Sequence, residues 1–77
     1  MPKLTPIKPK KLIKIILSLG FVMRDAEGAH VFFSHSNGKS TVVSRHNKEI
    51  GRGLLRKILN DVGLSVERYE DLRKKHK

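Results

Sequence analysis

The first part of the chain repeats its apolar residues at the spacing of a helix that buries one face. Between residues 10 and 19 these positions lie mostly three or four residues apart, with lysines on the remaining surface; they are Leu12, Ile13, Ile16, Leu17 and Leu19. Pro9 suits the first helical turn, where its missing N–H would have no partner. Gly20 is a common helix stop. The pattern predicts a helix over residues 10–19.

The middle of the chain has the shorter rhythm of β-strands. Residues 21–24 form a brief apolar segment, and residues 25–28 (DAEG) predict a turn. Residues 30–35 (HVFFSH) favour a strand, and Asn37-Gly38 is the strongest short-range signal for a hairpin. Residues 39–44 (KSTVVS) supply the return strand. We expect three short antiparallel strands, the central one carrying His30 and His35.

Helical spacing returns over residues 49–62. One face collects the apolar side chains of Ile50, Leu54, Leu55, Ile58, Leu59 and Val62, and Gly63 follows as a stop. Gly51 and Gly53 would each cost roughly 1 kcal/mol relative to Ala inside a helix. We therefore expect the regular helix to begin near Arg52. Residues 65–72 predict a further short helix at the end.

The element order is therefore α-β-β-β-α, an α+β class, with a short C-terminal helix added. A three-stranded antiparallel sheet with the helices on one face would bury a single core and leave its other face open. The 77 residues fit one domain, with residues 1–8 as an extended leader and residues 73–77 as a basic tail.

Strand parity determines what the open face carries. Alternating side chains of a strand point to opposite faces, so His30 and Phe32 share one face while Val31 and Phe33 share the other. If Val31 and Phe33 join the core, His30 and Phe32 are exposed together as an RNA-contacting pair, because bases stack on aromatic rings. The opposite parity buries Phe32. The pattern alone leaves both arrangements open.

Charge sets the class of partner. The chain has seventeen Lys and Arg but only seven Asp and Glu, which gives a net charge of +10. Such a charge favours polyanionic partners. The chain has no cysteine, which excludes disulfides and thiolate chemistry. No apolar stretch approaches the ~20 residues that span a bilayer, so we expect a cytoplasmic protein without a membrane partner. The candidate RNA contacts are Lys10, Lys14, Phe32, Arg45, His46, Lys48, Arg52 and Lys57.

The acidic residues and histidines do not predict a metal site. Mg²⁺ takes oxygen ligands, but only Asp25 and Glu27 lie in the strand region. The histidines His30, His35 and His46 lack a recognisable zinc-ligand spacing. We expect neither a metal nor another cofactor.

Several segments resemble one family of small basic proteins. Gly28-Ala29-His30 followed by Val31-Phe32-Phe33 resembles the Gly-Ser-His-apolar motif of the HicA toxins. A second block resembles the same family: residues 43–46 (VSRH), 49–50 (EI), 53–59 (GLLRKIL) and 63–65 (GLS). The likeness extends over about residues 8–69. Ala29 stands where the family usually has Ser, and Ser44 where Pro is common.

The resemblance implies a metal-independent ribonuclease toxin that cleaves mRNA, has a double-stranded-RNA-binding-like fold, and is inhibited by a HicB-type antitoxin. His30 would be the catalytic residue. Charge complementarity adds that the antitoxin surface should be acidic opposite Lys10, Lys14, Arg45 and Arg52. His46 would be a second proton-transfer group, a phosphate contact, or a residue that orders the turn before the second helix.

Two other functions fit part of the sequence. A non-catalytic double-stranded-RNA-binding module would have the same element order and the same basic charge. A DNA-binding regulator is disfavoured because no helix-turn-helix spacing stands out. The ribonuclease and the RNA-binding module differ at His30. A nuclease needs a titrating group where the RNA is cut, and a binding module does not.

Overall fold

A computed structural model describes residues 4–46 and 48–75 of the chain. Its elements follow the predicted order, including the further helix at the end. They are α1 (Pro9–Ser18), β1 (Val22–Glu27), β2 (His30–Ser34), β3 (Ser40–Ser44), α2 (Arg52–Val62) and α3 (Val66–Lys75). The α+β class with a three-stranded antiparallel sheet is confirmed.

Helix α1 begins at Pro9, one residue earlier than predicted, and ends at Ser18. Its buried side chains are Pro9, Leu12, Ile15 and Ile16. Ile15 was not among the predicted apolar face, yet it is fully buried, whereas Leu17 is exposed. The apolar residues of this helix cover more than half of its circumference, so spacing alone did not determine which of them face the core.

The sheet has the order β1-β2-β3, and both pairings are antiparallel. The predicted turn over residues 25–28 is wrong, because β1 continues to Glu27 and a register shift lies between Met23 and Asp25. A tight turn at Gly28 and Ala29 then suffices to reverse the chain. Gly28 takes a positive φ of 58° there, a conformation that glycine adopts without steric cost.

The second hairpin lies where Asn37-Gly38 predicted it. His35 N–H donates to the Lys39 carbonyl at 2.9 Å, and Gly38, with φ 91°, donates to the His35 carbonyl at 3.0 Å. Strand β2 ends at Ser34, so the expectation that the central strand carries two histidines is wrong. His35 belongs to the turn.

Helix α2 starts at Arg52, as the two glycines indicated, and Gly63 ends it in the left-handed conformation with φ 72°. It packs on β3 and contributes Leu55, Ile58, Leu59 and Val62 to the core. Leu54, predicted on the buried face, is exposed. From the sheet, Val31, Phe33 and Val43 are buried in the same core.

Strand β1 lies at one edge of the sheet, and all six of its residues are exposed. Met23 and Ala26 pair with the buried Phe33 and Val31, yet they remain exposed themselves. The helical layer therefore covers the inner face of β2 and β3 and leaves β1 open to solvent.

Residues 4–8 and helix α3 fasten to each other, forming a clasp. Leu4 and Ile7 are buried, and Ile7 exchanges two backbone hydrogen bonds with Ile50. The Tyr69 hydroxyl donates to the Thr5 carbonyl at 2.5 Å, and Thr5 N–H donates to Glu70 Oε2 at 3.1 Å. Leu4 and Ile7 of the predicted leader are thus part of the core.

Two ionisable side chains of α3 have shifted pKa values in the clasp. Burial raises the pKa of Tyr69 to about 12, and the neighbouring Glu70 carboxylate adds to the rise. Burial also opposes ionisation of Glu70, but hydrogen bonds from Arg73 and Thr5 outweigh it and hold the Glu70 pKa below its ordinary value. Arg73 Nη2 lies 2.9 Å from Glu70 Oε1. Residues 73–75, expected in a basic tail, form the last turn of α3.

Candidate nucleic-acid interface

His30 is the first residue of β2 and is exposed on the sheet face that the helices leave uncovered. Its neighbours Val31 and Phe33 are each 1% exposed in the core. Alternation therefore places His30 and Phe32 on the outer face, and Phe32 is half-buried there. Of the two parities that the sequence left open, the structure has the one that exposes His30.

Two side chains flank His30 across the sheet. Glu27 of β1 and Ser44 of β3 are its directly paired residues. Paired side chains share one face of a sheet, with Cβ atoms about 4.5–5.5 Å apart. The imidazole thus stands in a row with a carboxylate on one side and a hydroxyl on the other. Sequence analysis missed Glu27 as a neighbour because the residues around it predicted a turn.

A basic cleft of about 470 Å³ lies between the start of α1 and the segment after β3. It is lined by Lys8, Pro9, Lys10, Ile13, Arg45 and Lys48, which we call the basic cleft throughout. Arg45 connects it to His30, because the Arg45 N–H donates to the carbonyl of Ala29 at 2.7 Å. Arg45 thus joins the cleft, which α1 lines, to the residue that precedes His30 on the open sheet face.

The basic cleft gathers three of the predicted RNA contacts, namely Lys10, Arg45 and Lys48. It also includes Lys8, which the sequence prediction left out and which only the folded leader brings there. The other predicted contacts do not line it. Lys14 and Arg52 are exposed on α1 and at the start of α2, and His46 is exposed in the segment after β3.

Phe32 and Lys57 line a different cleft, of about 430 Å³, along β3 and α2. Lys57 Nζ lies 3.4 Å from Asp61 Oδ2, and Asp61 also accepts a hydrogen bond from the Thr41 hydroxyl at 3.2 Å. The carboxylate partly neutralises Lys57, which makes this second cleft less suited to a phosphate than the basic cleft.

His35 has structural contacts on both sides of its ring. Its Nδ1 accepts a hydrogen bond from Asn37 N–H at 3.0 Å. Its ring meets the Phe21 ring edge-on, with centroids 5.0 Å apart. A side chain at Gly20 would meet the imidazole, since an added Cβ would lie 3.0 Å from His35 Nε2. These contacts hold the hairpin turn against the end of α1.

Over residues 4–46 and 48–75, no three histidine or acidic side chains converge as metal ligands would. Within the same residues, no helix has the length and apolar character needed to cross a bilayer.

A family model described as the HicA toxin of bacterial toxin–antitoxin matches residues 9–64, well over half of the 77-residue chain. The chain belongs to the HicA toxin family. The resemblance noted from the sequence is confirmed, as is the general assignment to a toxin–antitoxin system. A search of curated protein sequences gave no match.

The HicA match begins at the first residue of α1 and ends just after α2. It includes His30, its two strand neighbours and every residue of the basic cleft except Lys8. Residues 4–8 and α3, which form the clasp, lie outside the matched range. The candidate site is thus built almost wholly from the HicA part of the chain.

Proposed function

We propose that this HicA-family protein is a metal-independent endoribonuclease that cleaves mRNA with His30 as its catalytic residue. The observation that carries the proposal is the position of His30, exposed on the open sheet face, with Arg45 of the basic cleft bonded to the preceding Ala29. Family membership supports the toxin role, since the matched range contains this histidine.

RNA itself provides the nucleophile for such an enzyme. A base removes the proton of the 2′-OH, and the 2′-oxygen forms a bond to the adjacent phosphorus. The bond from phosphorus to the 5′-oxygen breaks, and an acid gives that oxygen a proton. The products are a 2′,3′-cyclic phosphate and a 5′-hydroxyl end. Histidine serves either proton transfer near neutral pH, and a positioned group contributes typically ~10²–10⁴-fold.

The residues beside His30 supply the remaining requirements. Arg45 bonds through its backbone N–H to Ala29, which precedes His30, and is the proposed partner for the charge that develops on the phosphoryl oxygens. Glu27 of β1 pairs with His30 and places a carboxylate beside the imidazole. DNA lacks the 2′-OH and resists this chemistry.

The proposed partner is a HicB-type antitoxin in the cytoplasm, with an acidic surface that covers the His30 face. Lys10 and Arg45 of the basic cleft and the exposed Lys14 and Arg52 present the complementary charge. Opposite charges steer association, so such a partner would be captured quickly. RNA and antitoxin would then compete for one surface.

The test is incubation of the purified protein with single-stranded RNA in EDTA, comparing wild type, His30→Ala and His46→Ala. We expect wild type to cleave and to leave cyclic phosphate ends, and His30→Ala to lose cleavage by about 10²-fold or more. His30 is exposed, so circular dichroism should show an unchanged fold. His46→Ala tests the other candidate for proton transfer, and Arg56→Ala, at an exposed position outside the basic cleft, is the control.

Three results would contradict the proposal. They are cleavage by a folded His30→Ala, a requirement for Mg²⁺ with 5′-phosphate products, and tight binding of double-stranded RNA without any cleavage. The last result would instead indicate the non-catalytic binding module.

A further inference from the structure

The basic cleft combines features that a simple phosphate contact does not need. Its volume of about 470 Å³ lies within the ~300–1,000 Å³ typical of sites for small organic ligands. Pro9 and Ile13 give it apolar lining, and the aliphatic stems of its lysines add to that surface. A cleft with an apolar floor binds an organic ring as well as an ion.

The rim of the basic cleft is positive. Four of its lining residues are cationic, and none is acidic. The start of α1 adds to this charge, because the first turn contains no acidic residue and Lys8 at the N-cap makes no side-chain capping bond. Such a helix end carries a partial positive charge that favours anions. The cleft therefore suits a ligand with a flat apolar part between negative groups.

We propose that the basic cleft binds one unpaired nucleotide of the RNA substrate, with its base against Pro9 and Ile13 and its flanking phosphates on Lys10, Arg45 and Lys48. The proposal deepens the proposed function and rests on it. A base in a duplex is stacked and paired, so it cannot enter a cleft. The substrate class is accordingly unpaired RNA, and not the duplex that a non-catalytic double-stranded-RNA-binding module would take.

The position of Arg45 links this subsite to the chemistry. Ser44 pairs with His30, and the next residue, Arg45, lines the cleft while bonded to Ala29. An RNA strand that leaves the cleft at Arg45 would pass the end of β3 to reach the open sheet face that carries His30. Binding of one base would fix which phosphodiester lies at the imidazole, and so would give the enzyme a positional preference beside an unpaired nucleotide.

The experiment measures binding apart from cleavage. The probe is a fluorescently labelled 2′-O-methyl hexanucleotide, which cannot be cut because its 2′-oxygens are blocked. We expect an abasic version with the same phosphates to bind at least about fivefold more weakly, the lower end of what one base contributes in single-strand sites. A duplex of the same sequence should bind more weakly as well, and free adenosine monophosphate should compete poorly because it lacks the second phosphate.

Charge-reversed variants locate the site. Lys10→Glu and Arg45→Glu should each weaken binding by about fivefold or more. Lys39→Glu and Arg56→Glu make the same change of charge at exposed positions that do not line the cleft. We expect these two controls to stay within about twofold, because salt screens distant charges.

Methyl NMR of the unaltered protein tests the same subsite without a substitution. Addition of the hexanucleotide should shift the Ile13 methyl signals and leave those of the buried Ile58 in place. Equal affinity for the intact and abasic probes, equal affinity for the duplex, or an unmoved Ile13 signal would overturn the inference. Cleavage that depends on His30 would leave the proposed function standing in that case. Base-dependent binding by a protein that never cleaves RNA would support the nucleotide subsite and overturn the proposed function.

Discussion

Tyr69→Phe removes one hydroxyl from the clasp and is expected to destabilise the whole domain. The Tyr69 side chain is 0% exposed, and its hydroxyl donates to the Thr5 carbonyl at 2.5 Å. A hydrogen bond contributes about 0.5–1.5 kcal/mol net, and an acceptor left without a partner costs about 1–3 kcal/mol. We therefore expect the free energy of unfolding to fall by about 1–3 kcal/mol. For a domain of this size that lowers Tm by roughly 5–20 °C.

The same hydroxyl makes the free energy of unfolding depend on pH in the alkaline range. The pKa of Tyr69 rises from 10.0 to about 12 in the folded protein, so the fold favours the protonated phenol. This contribution is fully present below pH 10 and is lost as the pH rises through 12. At about 1.4 kcal/mol per unit, the loss amounts to roughly 2–3 kcal/mol. Tyr69→Phe lacks this group, so its disadvantage should shrink over that pH range.

Two measurements check these expectations. Urea unfolding of both proteins at neutral pH and at several alkaline pH values gives the stability difference and its slope. The phenolate absorbance gives the pKa directly, because Tyr69 is the one tyrosine of the chain. Equal stability at neutral pH, or an absorbance midpoint near 10 in the folded protein, would refute the reasoning about the clasp.

Four further predictions concern other parts of the molecule. Phe33→Ala, at a core position 1% exposed, should cost about 3–5 kcal/mol and leave little folded protein by circular dichroism. Gly63→Ala places a side chain at φ 72° and 3.0 Å from Lys39 Cε, and should cost about 1–2 kcal/mol in urea unfolding. Glu70→Gln should be less stable than wild type at neutral pH, and the difference should shrink as acid protonates Glu70, whose folded pKa lies below its ordinary 4.5. The association rate with a HicB-type antitoxin, followed by stopped flow, should fall between about 0.05 and 0.5 M salt, and a constant rate would contradict the acidic surface.

The elements that could be predicted are those with local signals. Pro9 and Gly20 bracket α1, Asn37-Gly38 marks the second hairpin, and Gly63 ends α2. Each of these residues acts through its own backbone conformation, so neighbours in sequence suffice to recognise it.

The missed features depend on partners distant in sequence. Strand β1 has no face covered by helices, so its polar residues Asp25 and Glu27 show no alternation that would distinguish a strand from a turn. Leu4 and Ile7 lie among prolines without a period, and their burial becomes evident only when α3 and Ile50 are in place. Pattern analysis has no access to such pairings.

The candidate site was predictable by residue type more than by arrangement. His30 and three cations of the basic cleft were named from the sequence, but the face that His30 occupies depended on strand parity, which the alternation HVFFS leaves undecided. Burial of Phe33 rather than Phe32 decides it. The predicted contacts Phe32 and Lys57 line a second cleft and not the basic cleft, although Phe32 shares the outer sheet face with His30.

The clasp connects the stability of the chain to the proposed nucleotide subsite. Lys8 lines the basic cleft and lies next to Ile7, whose backbone bonds to Ile50 fix that end of the leader. Earlier in the same segment, Thr5 bonds to Tyr69 and Glu70 of α3. Four of the six cleft residues belong to α1 and its N-cap, and the remaining two to the segment between β3 and α2. Because the leader bonds to Ile50, just before α2, it ties these two parts together. The segments outside the HicA match therefore set the shape of a site that lies almost entirely within it.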